Sequence, residues 1–185
     1  MRACRHVVLW IAAAACGRKW ARMRGLPKLD QIDIGILSQL QRNGKVTNVV
    51  LADAVGLSPS PCLQRVKRLE KAGYIECYRA MLKLRNLSDH VIVFTEVTLS
   101  DHRRDDFTKF EAEIRRNPHV IECHLVSGGY DYLLKFVARS VPLYQEIMEK
   151  VLERNIGVEK YFSYIVIKSV IPHAPLPLGH ILDNG

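Results

Sequence analysis

Apolar residues recur at helical spacing through the first half of the chain and at strand spacing through much of the second. Ile32, Ile36, Leu37 and Leu40 fall on one stripe, with Asp30 placed as the N-cap and Asn43-Gly44 as the stop of a first helix. Thr47 caps a second pattern, Leu51, Ala52 and Val55, which Gly56 ends. Ser58-Pro59 opens a third, running to Ala72-Gly73 with Cys62, Leu63, Val66 and Leu69 as its inward side. The break Gly56-Leu57-Ser58-Pro59 has the size and composition of the turn in a helix-turn-helix: glycine permits the reversal and serine caps the next helix. Ile75 to Leu82 then reads as a short strand or wing, followed by a hinge over 83–90.

From Val91 the period changes. Val91 to Leu99 is rich in β-branched residues, and Arg103 to Arg116 carries Phe107, Phe110 and Ile114 at helical spacing before Asn117-Pro118. Val120 to Ser127 and Tyr132 to Val137 are strands flanking Gly128-Gly129. Ser140-Val141-Pro142 caps a helix with Tyr144, Ile147, Met148 and Val151 inward, and Tyr161 to Ile171 supplies the last strand. The order β-α-β-β-α-β is that of a ferredoxin-like sheet with both helices on one face. The fold class is therefore α+β, an N-terminal winged helix-turn-helix followed by a C-terminal ferredoxin-like βαββαβ domain. The sheet's other face, bearing Ile92, Phe94 and Val126, needs a cover, and a second subunit's sheet supplies one. The Pro-rich tail, 172–185, reads as extended.

A chain of 185 residues, 48% hydrophobic and 25% charged, has material for one sizeable or two small packed domains and excludes wholesale disorder. Its net charge of +8 is unevenly spread: residues 1–29 hold seven Lys/Arg and no acid, 30–80 seven against five, and 81–185 thirteen against fourteen. Residues 1–28 read as an extension, a non-native start or a disordered arm, with Met23 as the expected start. The uncharged run Val7 to Cys16 has a weak signal-peptide layout but is too short to span a membrane, so no membrane partner is implied. Five cysteines, at 4, 16, 62, 77 and 123, are widely spaced and form no CxxC pair, which fits a reducing cytosol and a cytoplasmic protein. Cys123 and His124 are adjacent on a strand and point to opposite faces, so they form no joint metal or nucleophile site. No metal site, cofactor loop or paired-carboxylate constellation is present in the pattern.

On the third helix Ser60, Pro61, Gln64, Arg65, Lys67, Arg68 and Lys71 are left outside the apolar side, with Ser58 at its start. Arginine can bond two acceptors on a guanine edge and glutamine can pair with adenine, whereas lysine and serine more often hold phosphates. Gln64 and Arg65 are thus the base-reading candidates, Arg68 could take either role, and double-stranded DNA is the expected partner. A solvated basic helix is the bland alternative. The hairpin Gly128-Gly129-Tyr130-Asp131 offers backbone N–H groups for an anion and a carboxylate for an ammonium, the two charges of a free amino acid. A turn that uses glycine for positive φ and aspartate for stability explains the same residues.

Three strings carry a resemblance. Leu-Asp-Gln-Ile-Asp at 29–33, Val-Gly-Leu-Ser-Pro-Ser-Pro-Cys-Leu-Gln-Arg-Val-Lys-Arg-Leu-Glu at 55–70, and Glu-Cys-His-Leu-Val-Ser-Gly-Gly-Tyr-Asp-Tyr-Leu-Leu-Lys at 122–135 resemble the Lrp/AsnC (leucine-responsive/asparagine-regulator) family of bacterial transcription regulators. The resemblance covers residues 29–171; the extension and the tail depart from it. It implies a DNA-binding domain at 29–82 and an effector-binding, oligomerising domain at 91–171. It also implies an amino acid as effector, and dimers that assemble further, commonly to octamers. By the same resemblance Ser163, Tyr164 and Val166 join Gly128, Gly129, Tyr130 and Asp131 around the effector. Two rival functions share the architecture: a tetrapyrrole decarboxylase-like enzyme, which would use histidines in its pocket, and a DNA-organising protein without effector response.

Overall fold

The computed structural model describes residues 26–182. The readings placed on residues 1–25, including the start at Met23 and the signal-peptide layout of Val7 to Cys16, lie outside the described residues. The described chain forms two units: residues 82–170, and residues 26–81 together with 171–182.

In the N-terminal unit, helix α1 (Gln31–Arg42) begins in a reciprocal cap. The Asp33 N–H donates to Asp30 Oδ1 at 2.8 Å and the Asp30 N–H donates to Asp33 Oδ2 at 3.2 Å, so two otherwise orphaned donors are satisfied. Helix α2 (Asn48–Ala54) is capped by Thr47, as its sequence implies. Gly56, at φ +69°, turns the chain so that Leu57 N–H reaches Ala52 C=O at 2.8 Å, and Ser58-Pro59 starts helix α3 (Pro59–Lys71). Ile36, Leu51, Ala52, Cys62 and Leu69 make the buried core of this unit.

Two expectations here need correction. Leu63 is 42% exposed; on a helix it stands about 100° from the Cys62–Val66–Leu69 stripe and escapes the core. Ile75 to Leu82 forms no strand. A strand needs a partner for its backbone groups, and instead side chains tie the segment down: Tyr74 Oη donates to Pro27 C=O at 2.6 Å and Tyr78 Oη donates to Glu70 Oε1 at 2.9 Å. Burial, with Glu70 beside it, pushes the Tyr78 hydroxyl up to about 12.

The C-terminal unit is a four-stranded antiparallel sheet in the order β2-β3-β1-β4. Its strands are β1 (Val91–Leu99), β2 (Val120–Leu125), β3 (Tyr132–Ala138) and β4 (Val158–Ile165). Helices α4 (Arg104–Arg115) and α5 (Val141–Glu153) follow β1 and β3. Alternation decides the faces: Val93, Thr95, Val97 and Leu99 of β1 and Tyr132, Leu134, Phe136 and Ala138 of β3 are buried. They meet Phe107, Phe110 and Ile114 of α4 and Tyr144, Ile147, Met148 and Val151 of α5, the inward residues that helical spacing selects. At 25 cal/mol per Å2, such side chains contribute roughly 1.5–3 kcal/mol each when fully buried.

The last strand differs from its sequence reading. It starts at Val158 and ends at Ile165, and Ile167, Val170 and Ile171 are 99%, 81% and 75% exposed. Pairing with β1 sets that limit: Val93 is opposite Ile165, and only Val166 N–H, bonded to Ile92 C=O at 2.9 Å, extends the ladder. The tail is not wholly extended either, since Leu178–Leu182 forms a short helix, α6. No helix among the described residues is long and apolar enough to cross a membrane.

Candidate nucleic-acid and effector sites

Helix α3 presents three distinct stripes. Cys62, Val66 and Leu69 face inward. Ser60, Gln64, Lys67 and Lys71, spaced four, three and four apart, run along the opposite side, and all are exposed. Between them lie Pro61, Arg65 and Arg68. Ser58, the N-cap, makes no side-chain capping bond, so its hydroxyl stays open at the helix start.

The flanking arginines do something the sequence did not suggest. Arg65 Nη1 donates to Asp30 Oδ2 at 2.6 Å and to Asp33 Oδ1 at 2.9 Å, and Arg68 Nη2 donates to Asp33 Oδ2. The Asp33 side chain is fully buried, whereas Arg65 and Arg68 are 28% and 46% exposed. The Arg65 guanidinium beside Asp30 holds that carboxyl below the usual carboxylate range, and the same contact raises Arg65. Arg65 is thus engaged in fastening α3 to the start of α1, an engagement that its sequence reading as a base-reading side chain did not include. Arg68, half-exposed, keeps donors for a phosphate. A further residue that sequence reasoning missed is Asn48: its Nδ2 donates to Pro59 C=O at 2.7 Å and ties the start of α2 to the start of α3. The signal for Asp33 was present as the Asp-x-x-Asp cap; nothing in the sequence marked Asn48.

The loop joining β2 to β3 spans Val126 to Asp131 and is closed by Val126 N–H bonding Asp131 C=O at 2.9 Å. Neither Gly128 nor Gly129 has positive φ, so the turn does not use glycine for that purpose. Both are exposed, and a Cβ on either would meet nothing within 4 Å. Asp131 is different. It is 7% exposed, its Oδ2 accepts from Leu99 N–H at 2.8 Å, and His102 Nε2 lies 3.1 Å from Oδ1. A carboxylate so occupied closes the end of β1 against β3, a structural use that its sequence reading as an ammonium partner did not include. His102, unremarked in the sequence, is its partner.

The β4 residues separate as strand alternation requires. Ser163 faces the helices, where its hydroxyl bonds Tyr144 Oη, which also bonds Thr95 Oγ1 at 2.8 Å. Tyr164 is on the open face beside Phe94 and donates to Glu96 Oε2 at 3.2 Å. The structure therefore puts Tyr164 and Ser163 on opposite faces of β4, with Ser163 at the outer end of a hydroxyl chain through Tyr144 to Thr95. Val166 is half-buried at the end of the ladder.

Register confirms that Cys123 and His124 sit on opposite faces, opposite Leu134 and Leu133 respectively. Burial pushes the Cys123 thiol up to about 11, which leaves it unreactive at neutral pH. Among the described residues no group of three His, Cys, Asp or Glu could hold a metal ion.

Comparison with known proteins accounts for both units. Residues 29–76 match the winged helix-turn-helix DNA-binding model and residues 92–176 the Lrp/AsnC ligand binding domain. The chain is 45% identical over 143 residues to the transcriptional regulatory protein DoeX of Halomonas elongata, covering 77% of this chain and 90% of that protein. It is 46% identical over 142 residues to the leucine-responsive regulatory protein of Haemophilus influenzae, covering 77% and 86%. Among solved structures, a transcriptional regulator from Neisseria meningitidis in complex with L-Met matches with TM-score 0.79 at 36% identity, covering 84% of this chain and all of that one. An AsnC family regulator from Agrobacterium tumefaciens matches with TM-score 0.78 at 27% identity, covering 83% and 100%. These relatives are transcription regulators, and nothing among them supports a tetrapyrrole decarboxylase. A capped helix-turn-helix with a polar outer stripe, joined to a βαββαβ ligand-binding unit, together with these matches, places the chain in the Lrp/AsnC family of DNA-binding transcription regulators.

Proposed function

We propose that the outer stripe of α3 reads the operator and that a free amino acid, bound at the β2–β3 loop, sets the strength of that reading. The observation that carries the first part is the alignment of Ser60, Gln64, Lys67 and Lys71 opposite the buried stripe of α3. Gln64 is the residue for a base edge, Lys67, Lys71 and Arg68 for phosphates, and Ser58, Ser60 and Pro61 for close backbone approach at the helix start. Arg65 supports the helix from behind. With seven basic residues against five acidic over 30–80, one domain has only modest attraction for DNA, which favours several domains binding together.

The effector reading is supported by the open space over Gly128 and Gly129 and by the L-Met held by the Neisseria meningitidis relative. Backbone donors of Ser127 to Tyr130 receive the carboxylate, and Tyr130 with Tyr164 forms the wall. Asp131 keeps the loop in shape. The open sheet face, with Ile92, Phe94, Leu133 and Val137 half-buried and Phe162 57% exposed, pairs with the same face of a second copy. Such dimers assemble into larger rings, an octamer being the expected size. A DNA partner supports a cytoplasmic location for the protein.

A DNA-binding titration against a panel of amino acids tests the scheme, with Gly129→Asp as the variant. A Cβ there meets no atom within 4 Å and the position is exposed, so folding is retained, while a carboxylate at the loop repels that of the effector. Loss of the amino-acid response with unchanged melting supports the site. An unchanged response removes it, and a wild type that ignores every amino acid points to a DNA-organising role instead.

A further inference from the structure

The C-terminal segment leaves the sheet and ends on the DNA-binding unit. Residues 171–182 cluster with 26–81 and not with the sheet. The anchor is Gln41, in the last turn of α1: its Oε1 accepts from Leu176 N–H at 2.8 Å and its Nε2 donates to Leu176 C=O at 3.5 Å. One side-chain amide thus pairs with both backbone groups of Leu176, as a neighbouring strand would. Beyond it, α6 packs on α1 with Leu178 half-buried. Pro172, Pro175 and Pro177 stiffen the approach, which lowers the entropy lost on docking.

We propose that the end of α1 around Gln41 is a docking surface for the chain's own segment Pro172–Leu182, and that this seat carries effector state from strand β4 to the DNA-binding unit. The inference rests on the effector reading above for its second half only. Val166 is hydrogen-bonded into the sheet and Leu176 to Gln41, so ten residue-to-residue steps, through nine intervening residues, join the two anchors. At ~3.3–3.6 Å per residue they reach at most about 35 Å. The forward connection, from Tyr74, held at the end of α3, to Val91, the first residue of β1, is seventeen residues long. The tail is therefore the shorter tether, and it limits how far the DNA-binding unit can move while it stays seated. It is also the direct continuation of Tyr164 and Val166, so a shift at the end of β4 acts on α1 through this segment before it acts through the longer link.

The experiment compares full-length wild type, Gln41→Ala, and a chain ending at Ile171. Alanine suits an exposed helical position, so Gln41→Ala folds even if the shortened chain does not. Hydrogen exchange at Leu176 N–H reads the seat: it is slowed in wild type and exchanges about 3- to 10-fold faster in Gln41→Ala, the range that loss of one hydrogen bond gives. DNA titrations with and without amino acid, beside calorimetric amino-acid binding, read the coupling. Both variants bind amino acid as wild type does but lose most of the effector-induced change in DNA affinity. Exchange of Leu176 at the free-chain rate in wild type overturns the docking, and a wild-type effector response in both variants overturns the coupling. If wild type binds no amino acid at all, the effector reading and the coupling with it fail, and the docking stands or falls on the exchange result.

Discussion

Replacing Asp33 by Asn removes the charge that fastens the recognition helix to its support. The Asp33 side chain is fully buried and accepts from Arg65 Nη1 at 2.9 Å, from Arg68 Nη2, and from Asp30 N–H at 3.2 Å. Removing one partner of a buried pair costs ~3–5 kcal/mol when the charge left behind stays buried. Here the guanidiniums are 28% and 46% exposed, and Arg65 keeps Asp30 at 2.6 Å. Both charges can therefore be rehydrated, which places the cost nearer ~2–3 kcal/mol. For a domain of this size ~1 kcal/mol shifts Tm by roughly 4–8 °C, so a fall on the order of 10–20 °C is expected for the N-terminal unit. Calorimetry on the full chain, with wild type beside it, measures it. Specific DNA affinity falls with it, because Ser60, Gln64, Lys67 and Lys71 are aimed by the orientation of α3. A double-mutant cycle with Arg65→Ala isolates the pair, with an expected coupling of ~1–3 kcal/mol. A melting temperature within a degree of wild type and a coupling of zero refute the reasoning, and Arg65 then returns to the DNA-facing set.

Gln64→Ala lowers specific binding by ~1–3 kcal/mol with an unchanged melt, as loss of a base contact does, whereas Lys71→Ala reduces the salt slope by about one and weakens all sequences alike. Asp131→Asn lowers sheet-unit stability by ~1–3 kcal/mol, because a buried acceptor of Leu99 N–H and its His102 contact are disturbed; melting curves that match wild type would return Asp131 to the candidates for the ammonium. The Asp30 carboxyl is held low by Arg65, so its contribution is present above the unfolded value of about 4 and is lost as pH falls through the lower folded value. Asp30→Asn flattens that acid limb, which melts between pH 2 and 6 would record. Phe162→Glu, on the open face opposite Glu96, gives a monomer by light scattering at micromolar concentration if that face is the subunit contact.

The elements were legible because their patterns are local: caps at Asp30, Thr47 and Ser140, the turn at Gly56, and alternation in β1 and β3 each predict their own backbone. The misses depend on partners distant in the chain. Ile75 to Leu82 has strand composition but nothing to pair with, and Tyr161 to Ile171 runs past the start of β1, since a register with Val93 opposite Ile165 leaves 168–171 beyond Val91. The Gln41–Leu176 contact joins residues 135 apart, beyond any window of periodicity. Site residues divided the same way. The polar stripe of α3 follows from helical spacing alone, but whether an arginine flanking it is free depends on a carboxylate 32 or 35 residues earlier.

That division has a physical rule behind it. A charged side chain near a binding surface serves a ligand only if its counter-charge is not already supplied by the fold. Arg65 and Asp131 are the two residues whose chemistry best suited the proposed ligands, guanine for one and an ammonium for the other. Both are already occupied: Arg65 by Asp30 and Asp33, Asp131 by Leu99 N–H and His102. Diverting either to a ligand would leave an unpaired group behind, at ~1–3 kcal/mol for a buried donor or acceptor and more for a charge, which offsets much of what the new contact contributes. Gln64, Lys67 and Lys71 carry no such cost, since they are exposed and their donors are met by water that a base or phosphate can replace. The same holds for the backbone of Gly128 and Gly129, open on the loop. Specificity then comes from rigid residues that aim exposed ones: Asp33 and Asn48 for the helix, Asp131 for the loop. A substitution in the aiming set changes stability and binding together, whereas one in the exposed set changes binding alone, and this separates the two sets without a bound complex.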